Sequence, residues 1–273
     1  MTKFRTTILI AVILKVLAFM SMATAKENET NSLGQLEPSC LQLPKGTGVV
    51  SKLSKQNVII LKDGRKLILA NIYVSKKLGQ SYLKKLLSKK PITFYASGRK
   101  TDRHNRNIVQ IFFQENGKRV WLQDHLINEG LAVPMALPNT RQCYHVLLES
   151  EKKARMKDLE NQSINQHFPI IKSSTLKLLN EKAQGSFQIV EGKVRSFHRT
   201  AKNTYLNFSN NWRTDFTVII SNHLLKRKKD KWPNLKAMKG KTIRVRGWLD
   251  HYNGPMIRLD VPEMLESIKQ REK

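Results

Sequence analysis

The chain has 273 residues, enough for one large or two ordinary domains. Its 40% hydrophobic content supports a packed core and excludes an intrinsically disordered chain. Against 21 Asp and Glu stand 49 Lys and Arg, a net charge of +28. That excess argues for nucleic acid, an anionic membrane surface or an acidic polysaccharide as partner, or for a merely basic solvated surface, and says nothing about chemistry.

Lys3 and Arg5 open the chain, Ile8 to Met20 is apolar apart from Lys15, and Ala23-Thr24-Ala25 offers a small-x-small cleavage site. This pattern predicts an export signal over residues 1–25 and a periplasmic protein; an uncleaved anchor is the alternative. Cleavage would remove three basic and no acidic residues, leaving 46 against 21, net +25. Residues 26–45 are rich in Asn, Ser, Gly and Pro and read as a linker.

Thr47 to Leu53, Val58 to Leu61 and Arg65 to Ile72 read as a three-stranded meander with a turn at Lys62-Asp63-Gly64. Leu78 to Ser88 has helical apolar spacing, with Pro91 just beyond its end. Two more strands follow, Ile92 to Ala96 and Ile108 to Phe113. Between them lies the basic loop around Lys100-Thr101-Asp102-Arg103-His104-Asn105-Arg106. Helices are predicted over Trp121 to Glu129, stopped by Gly130, and over Thr140 to Leu159. Trp121, Leu122, Tyr144 and Leu147 read as core, and Glu151 with Arg155 as an i,i+4 pair. Three strands, a helix, two strands and closing helices is the order of an OB-type barrel, with the two helices covering its open side.

Residues 161–184 form a connector with a short helix over Thr175 to Glu181. A second strand series follows: Phe187 to Phe197, Asn203 to Phe208, Asp215 to Ile220, Ile243 to Leu249 and Pro255 to Leu259. A basic segment, Leu224 to Met238, broken by Pro233, interrupts it, and Pro262 to Lys269 is predicted as a closing helix. The pattern predicts a second OB-like barrel over 185–273. Arg244, Arg246 and Arg258 alternate with apolar neighbours and are expected to form a basic row. Tyr205, Phe208, Trp212 and Trp248 are aromatics nearby. They serve either as stacking platforms beside a basic groove or as core filling, the second being the expectation for Phe208 and Trp248. The run 226–231 is generic phosphate or headgroup adhesive.

Two cysteines, Cys40 and Cys143, are either a single disulfide or two unpaired thiols; export favours the bridge. No CxxC and no histidine pair suits a metal, so no metal site is expected from spacing.

Several stretches of the first half resemble the staphylococcal nuclease (thermonuclease) family. They are GVVSKLSKQNVIILKDGRKLILANI, TDRHNRNIVQIF, WLQDHLINEGLAV and LLESEKKAR. The likeness covers residues 46–160. The block containing DFTVII, RVRGWLD and NGPMIRLDVPE looks like the extension found in exported thermonuclease-type proteins of alphaproteobacteria. The resemblance implies a mainly β, α+β chain: a nuclease-type OB barrel with covering helices, then a second OB-like barrel.

It also implies a calcium-dependent phosphodiesterase acting on DNA and RNA, with two metal aspartates, a general-base glutamate and two phosphate-binding arginines. That chemistry is sound, since a hard cation wants carboxylate oxygens, a water nucleophile needs a base, and charge growing on phosphorus needs forked donors. Matched position by position, the first metal aspartate falls on Asn57, the strand arginine on Ile68, the second metal aspartate on Tyr73 and the base on Lys76. The loop arginine falls on Arg106, the one retained position. No slip of one or two residues restores the set, because 51–62 and 65–77 contain no carboxylate.

The expectation is therefore a catalytically degenerate binder of nucleic acid or another polyanion, without a cofactor. Arg99, Lys100, Arg103 and Arg106 on the loop, and Arg244, Arg246 and Arg258 on the second barrel, would touch phosphates. Arg106 as a loop cap is the plainer alternative, and Lys76 and His104 carry no catalytic expectation. The competing readings are a calcium-dependent nuclease with a rearranged site, and a periplasmic scaffold or binder of anionic surfaces.

Overall fold

The computed structural model describes residues 40–41, 44–76, 78–98, 101–138, 143–157, 163–178, 183–211, 214–227 and 231–268. The predicted export signal, most of the linker, Arg99, Lys100, Trp212 and residues 228–230 of the basic run lie outside the described residues. No described helix is long and apolar enough to cross a membrane. The chain from Cys40 onward gathers into one compact unit.

The first half contains β1 (Pro44–Leu53), β2 (Ile59–Leu61), β3 (Lys66–Leu69), β4 (Ile72–Val74), α1 (Gly79–Leu87), β5 (Pro91–Ala96) and β6 (Asn107–Glu115). After these come β7 (Lys118–Trp121), α2 (Leu122–Asn128), β8 (Ala132–Pro134) and α3 (Tyr144–Lys157). β1 pairs antiparallel with β2 and β5, β2 with β3, and β5 with β6. β3 runs parallel to β6, which closes a five-stranded, OB-like barrel. Alternation explains its interior: Ile59, Leu61, Leu67 and Leu69 point inward, while Ile60 and Ile68 are half-buried. Gly48 permits the close crossing of β1 and β2, since a Cβ there would stand 2.6 Å from a Leu61 methyl.

Three local corrections have clear causes. The strand predicted over Arg65 to Ile72 is two strands, because Asn71 takes a left-handed φ of 64° and turns the chain out of the barrel. β4 then pairs with β8 in a separate ribbon. The hairpin joining β6 to β7 was not predicted, although Asn116-Gly117, both at positive φ, is a strong short-range turn signal.

The second half contains α4 (Ser163–His167), β9 (Ile170–Lys172), β10 (Phe187–Lys193), β11 (Ser196–Arg199), β12 (Asn203–Asn207), β13 (Thr217–Ser221), α5 (Asn222–Arg227), β14 (Thr242–Tyr252), β15 (Gly254–Arg258) and β16 (Leu265–Ser267). A 3-10 turn, Ser173–Leu178, stands where the predicted connector helix begins, and the end of that prediction, 179–181, lies outside the described residues. The sheet order is β11-β12-β13-β15-β14-β10-β9, with β16 on the edge of β14. β13 and β15 are parallel, and the other pairs between β11 and β10 are antiparallel. This repeats the pairing order of the first barrel. The predicted strand Phe187 to Phe197 is broken at Val194-Arg195, so its two halves stand at the two ends of one path. The predicted closing helix is absent: after a 3-10 turn at Pro262–Met264 the chain extends into β16, where Leu265 pairs with Val245.

The two halves meet through a polar contact, between α3 and the second sheet, and an aromatic one, between the β4–β8 ribbon and the second sheet. Arg246 on β14 is 1% exposed and lies 2.7 Å from Glu151 of α3 and 2.8 Å from Glu266 of β16. Glu151 also accepts from Arg155 Nη2 at 2.7 Å, so the predicted i,i+4 pair is present and is one side of a larger network. Burial works to lower the Arg246 guanidinium, and the two carboxylates outweigh it and hold its pKa raised. Burial pushes the neighbouring Tyr144 phenol well above its ordinary range. Beside this, Tyr73 of β4 stacks on Phe187 at 4.9 Å and meets Phe168 and Trp248 edge-on. Cys40 and Cys143, 103 positions apart in sequence, form a disulfide that ties the entry of β1 to the start of α3.

Candidate nucleic-acid interface

The loop before β6 positions Arg106 by a turn built on Asp102. Asp102 Oδ1 accepts the backbone N–H groups of His104 and Arg106, and Asn105 closes the turn at φ 56°. Arg106 Nε then donates to Asp102 Oδ2 at 2.7 Å, with Nη2 at 2.6 Å from the same oxygen. Burial opposes the Asp102 charge, but bonds from the Arg106 side chain and backbone prevail and hold its pKa down at about 2. Arg106 therefore caps its own loop, and a phosphate reaching it must share the guanidinium with Asp102. Arg103 and His104 are exposed and touch each other, Arg103 Nε donating to His104 Nε2 at 3.1 Å.

The positions matched to the nuclease centre hold no carboxylate, and their side chains are engaged or unsuited. Tyr73 belongs to the aromatic contact between the sheets. Ile68 pairs with Ile108 across β3 and β6. Lys76 is exposed. Asn57 has φ 58°, and its Oδ1 is buried with no hydrogen-bond partner. A neutral amide oxygen, an aromatic and a lysine do not supply what calcium takes, six to eight oxygens, several of them charged. Arg65, the near neighbour of the strand-arginine slot, is held by Asp63 and by the Thr47 carbonyl. Among the described residues no group of three His, Cys, Asp or Glu stands together as a metal site.

The predicted basic row on the second sheet is divided. Arg246 is the buried centre of the contact between α3 and the second sheet, so it is removed from any phosphate surface; inside, it is paired with Glu151 and Glu266. Arg244 is half-buried and paired with Glu191 at 2.7 Å. Arg258 alone of the three is exposed. Phe208 is core, as predicted, whereas Trp248 is 46% exposed, with one side against Tyr73 and Phe187.

Arg258 lies in a groove of about 960 Å³ across β11, β12, β13 and β15. Strand register lays two rows of side chains over its floor. One is His198, Tyr205, Ile219 and Arg258; the other is Ser196, Asn207, Thr217 and Met256. In the second row Thr217 Oγ1 donates to Asn207 Oδ1 at 3.2 Å, and Asn207 Nδ2 donates to Ser196 Oγ at 3.1 Å. The β14–β15 hairpin forms one wall, and Tyr252 at its tip is 75% exposed. The sequence reading singled out Tyr205 and Arg258 but missed His198 and Tyr252. Their shared location depends on which strands pair, and sequence spacing does not carry that.

No protein-family model matches this chain, and no curated protein matches it.

Proposed function

We propose that this is an exported, basic, nucleic-acid-binding protein of thermonuclease-like fold, with a second OB-like barrel, that grips its partner without cutting it. The single observation carrying the reading is the replacement of every metal and base carboxylate by Asn57, Tyr73 and Lys76, while the loop of Arg106 is kept. Tyr73 supports it further, because its ring is used to pack the second sheet. Without a metal or a base, hydrolysis loses both charge stabilisation and water activation, effects worth orders of magnitude each. The net charge of +28 survives that loss and supports a polyanionic partner. The cysteine bridge suits an oxidising compartment.

The test is to incubate the purified protein with single- and double-stranded DNA and with RNA, in calcium, in magnesium and in chelator. The expected result is retention of nucleic acid, weakening steeply with salt, and no cutting in any condition. Metal-dependent cutting that disappears in Arg106→Ala overturns the proposal in favour of a rearranged nuclease. Neither cutting nor retention at moderate salt favours the scaffold reading.

A further inference from the structure

We infer that the groove across β11, β12, β13 and β15 is a site for unpaired nucleic acid, whose bases stack on Tyr205 and Tyr252 while Arg258 holds the backbone. The inference rests on the nucleic-acid-binding reading above and adds to it both a place and a strand preference. Nothing in the matched nuclease positions leads to it, since the groove lies wholly on the second sheet.

Three observations converge on this surface. The first is topological. The pairing order of the second sheet is that of an OB-type barrel, with β12 and β13 as its second and third strands. In such barrels the face of those strands, flanked by the first and last hairpin loops, is where extended ligands lie. Here the flanking hairpins are β11–β12, which contributes Thr200, and β14–β15, which contributes Tyr252.

The second is the chemistry of the rows. Tyr205 lies between His198 and Ile219 in the register, its ring 6.3 Å from the imidazole and tilted 35° to it, so two neighbouring rings form part of the floor. Arg258 ends the same row, three inter-strand steps from His198, roughly 14 Å. The parallel row of Ser196, Asn207 and Thr217 offers hydroxyl and amide groups suited to base edges. Tyr252 projects from the hairpin tip and buries little of its ring against the protein. A large exposed aromatic costs solubility and contributes nothing to the core, whereas a base stacked on it would cover it.

The third is charge, which decides between a nucleic acid and a neutral sugar, since both use aromatic platforms. Residues 185–268 carry 16 Lys and Arg against 7 Asp and Glu, net +9. Asp250, on the groove wall, accepts the His251 backbone N–H at 2.8 Å, a bond that fixes the carboxylate in place without removing its charge. A duplex would bring its paired bases edge-on and could not stack on Tyr205 at the floor, so unpaired strands are the occupants the groove favours.

The experiment uses the full protein with a labelled oligothymidine, a duplex of equal length and a heparin fragment as competitor. Wild-type protein is expected to bind oligothymidine more tightly than duplex. Tyr252→Ala is expected to weaken oligothymidine binding about tenfold and leave duplex binding within about twofold. Arg258→Ala, also at an exposed position, is expected to weaken the single strand and flatten its salt dependence. Both side chains are exposed, so the variants keep the wild-type melting temperature. Equal binding of single strand and duplex, with Tyr252→Ala silent, overturns this inference and leaves the broader reading standing. Heparin displacing oligothymidine from wild type and Tyr252→Ala alike also overturns it. Failure of wild type to bind either oligonucleotide at low salt sinks both readings together.

Discussion

Arg246→Met tests how α3 is joined to the second sheet. The guanidinium is buried and touches Glu151 at 2.7 Å and Glu266 at 2.8 Å. Removing it leaves Glu151, whose side chain is 3% exposed, with one carboxylate oxygen facing an apolar side chain. Breaking a buried ion pair from one side costs about 3–5 kcal/mol. Two features place the cost at the lower end. Glu151 keeps Arg155, and Glu266, at 17% exposure, can regain water. The expected loss is about 3 kcal/mol, or about 6–12 °C in Tm for a domain of this size. Urea unfolding followed by circular dichroism measures it, with the wild-type m-value as the check on two-state behaviour. Combining Arg246→Met with Glu151→Gln supplies the decisive control. The double variant is expected to be at least about 1 kcal/mol more stable than the sum of the single losses, because the second change removes the charge that the first orphaned. A loss below about 1 kcal/mol in Arg246→Met, or strict additivity with Glu151→Gln, would refute the claim that this network joins α3 to the second sheet.

Tyr73→Ala removes a ring that meets three others and is expected to cost about 3 kcal/mol, while Tyr73→Phe costs under about 1 kcal/mol, read by thermal melting. Tyr73→Asp, which puts a carboxylate at the position matched to a metal aspartate of the nuclease family, is expected to destabilise the protein and to show no calcium-dependent rise in Tm, because Asn57 and Lys76 supply no charged oxygen. The Asp102 carboxyl has a folded pKa held at about 2, below its ordinary 3.8. Its contribution to stability is therefore complete above the unfolded value and is lost as pH falls from about 4 through about 2. Side-chain carbon NMR should place its midpoint near the lower value in wild type and near the ordinary one in Arg106→Ala. Replacing both Cys40 and Cys143 by Ser opens a 103-residue separation and is expected to cost about 2–4 kcal/mol, with wild type in reductant falling to the same midpoint.

Much of the strand pattern was legible because alternation is local: the meander of β1 to β3, the pair β5 and β6, and the strands β12 to β15 were all predicted within a few residues. Two of the failures were also local in origin. A left-handed asparagine at 71 broke one strand, and the positive-φ Asn116-Gly117 pair made a hairpin that went unpredicted. The predicted closing helix became β16, because an edge of β14 was available to pair with Leu265, and an isolated proline-capped segment cannot report that edge.

The sequence by itself determined the charge, the strand order and the absence of carboxylates at the matched nuclease positions, since each is a property of residue identity or short-range period. It also brought forward TDRHNRNIVQIF, one of the stretches that resemble the nuclease family. Only the tertiary structure decided what those residues do. Arg106 is spent first on Asp102, and Tyr73 is an aromatic joint. Arg244, Arg246 and Arg258 are alike in sequence, yet one is ion-paired at the surface, one is buried between two glutamates and one opens onto a groove. The reason is physical: a strand's period assigns a residue to a face, but which face meets water is settled by the elements that pack on it from far along the chain. Here α3 covers one face of β14, and nothing described covers the floor on which Tyr205 and Arg258 lie.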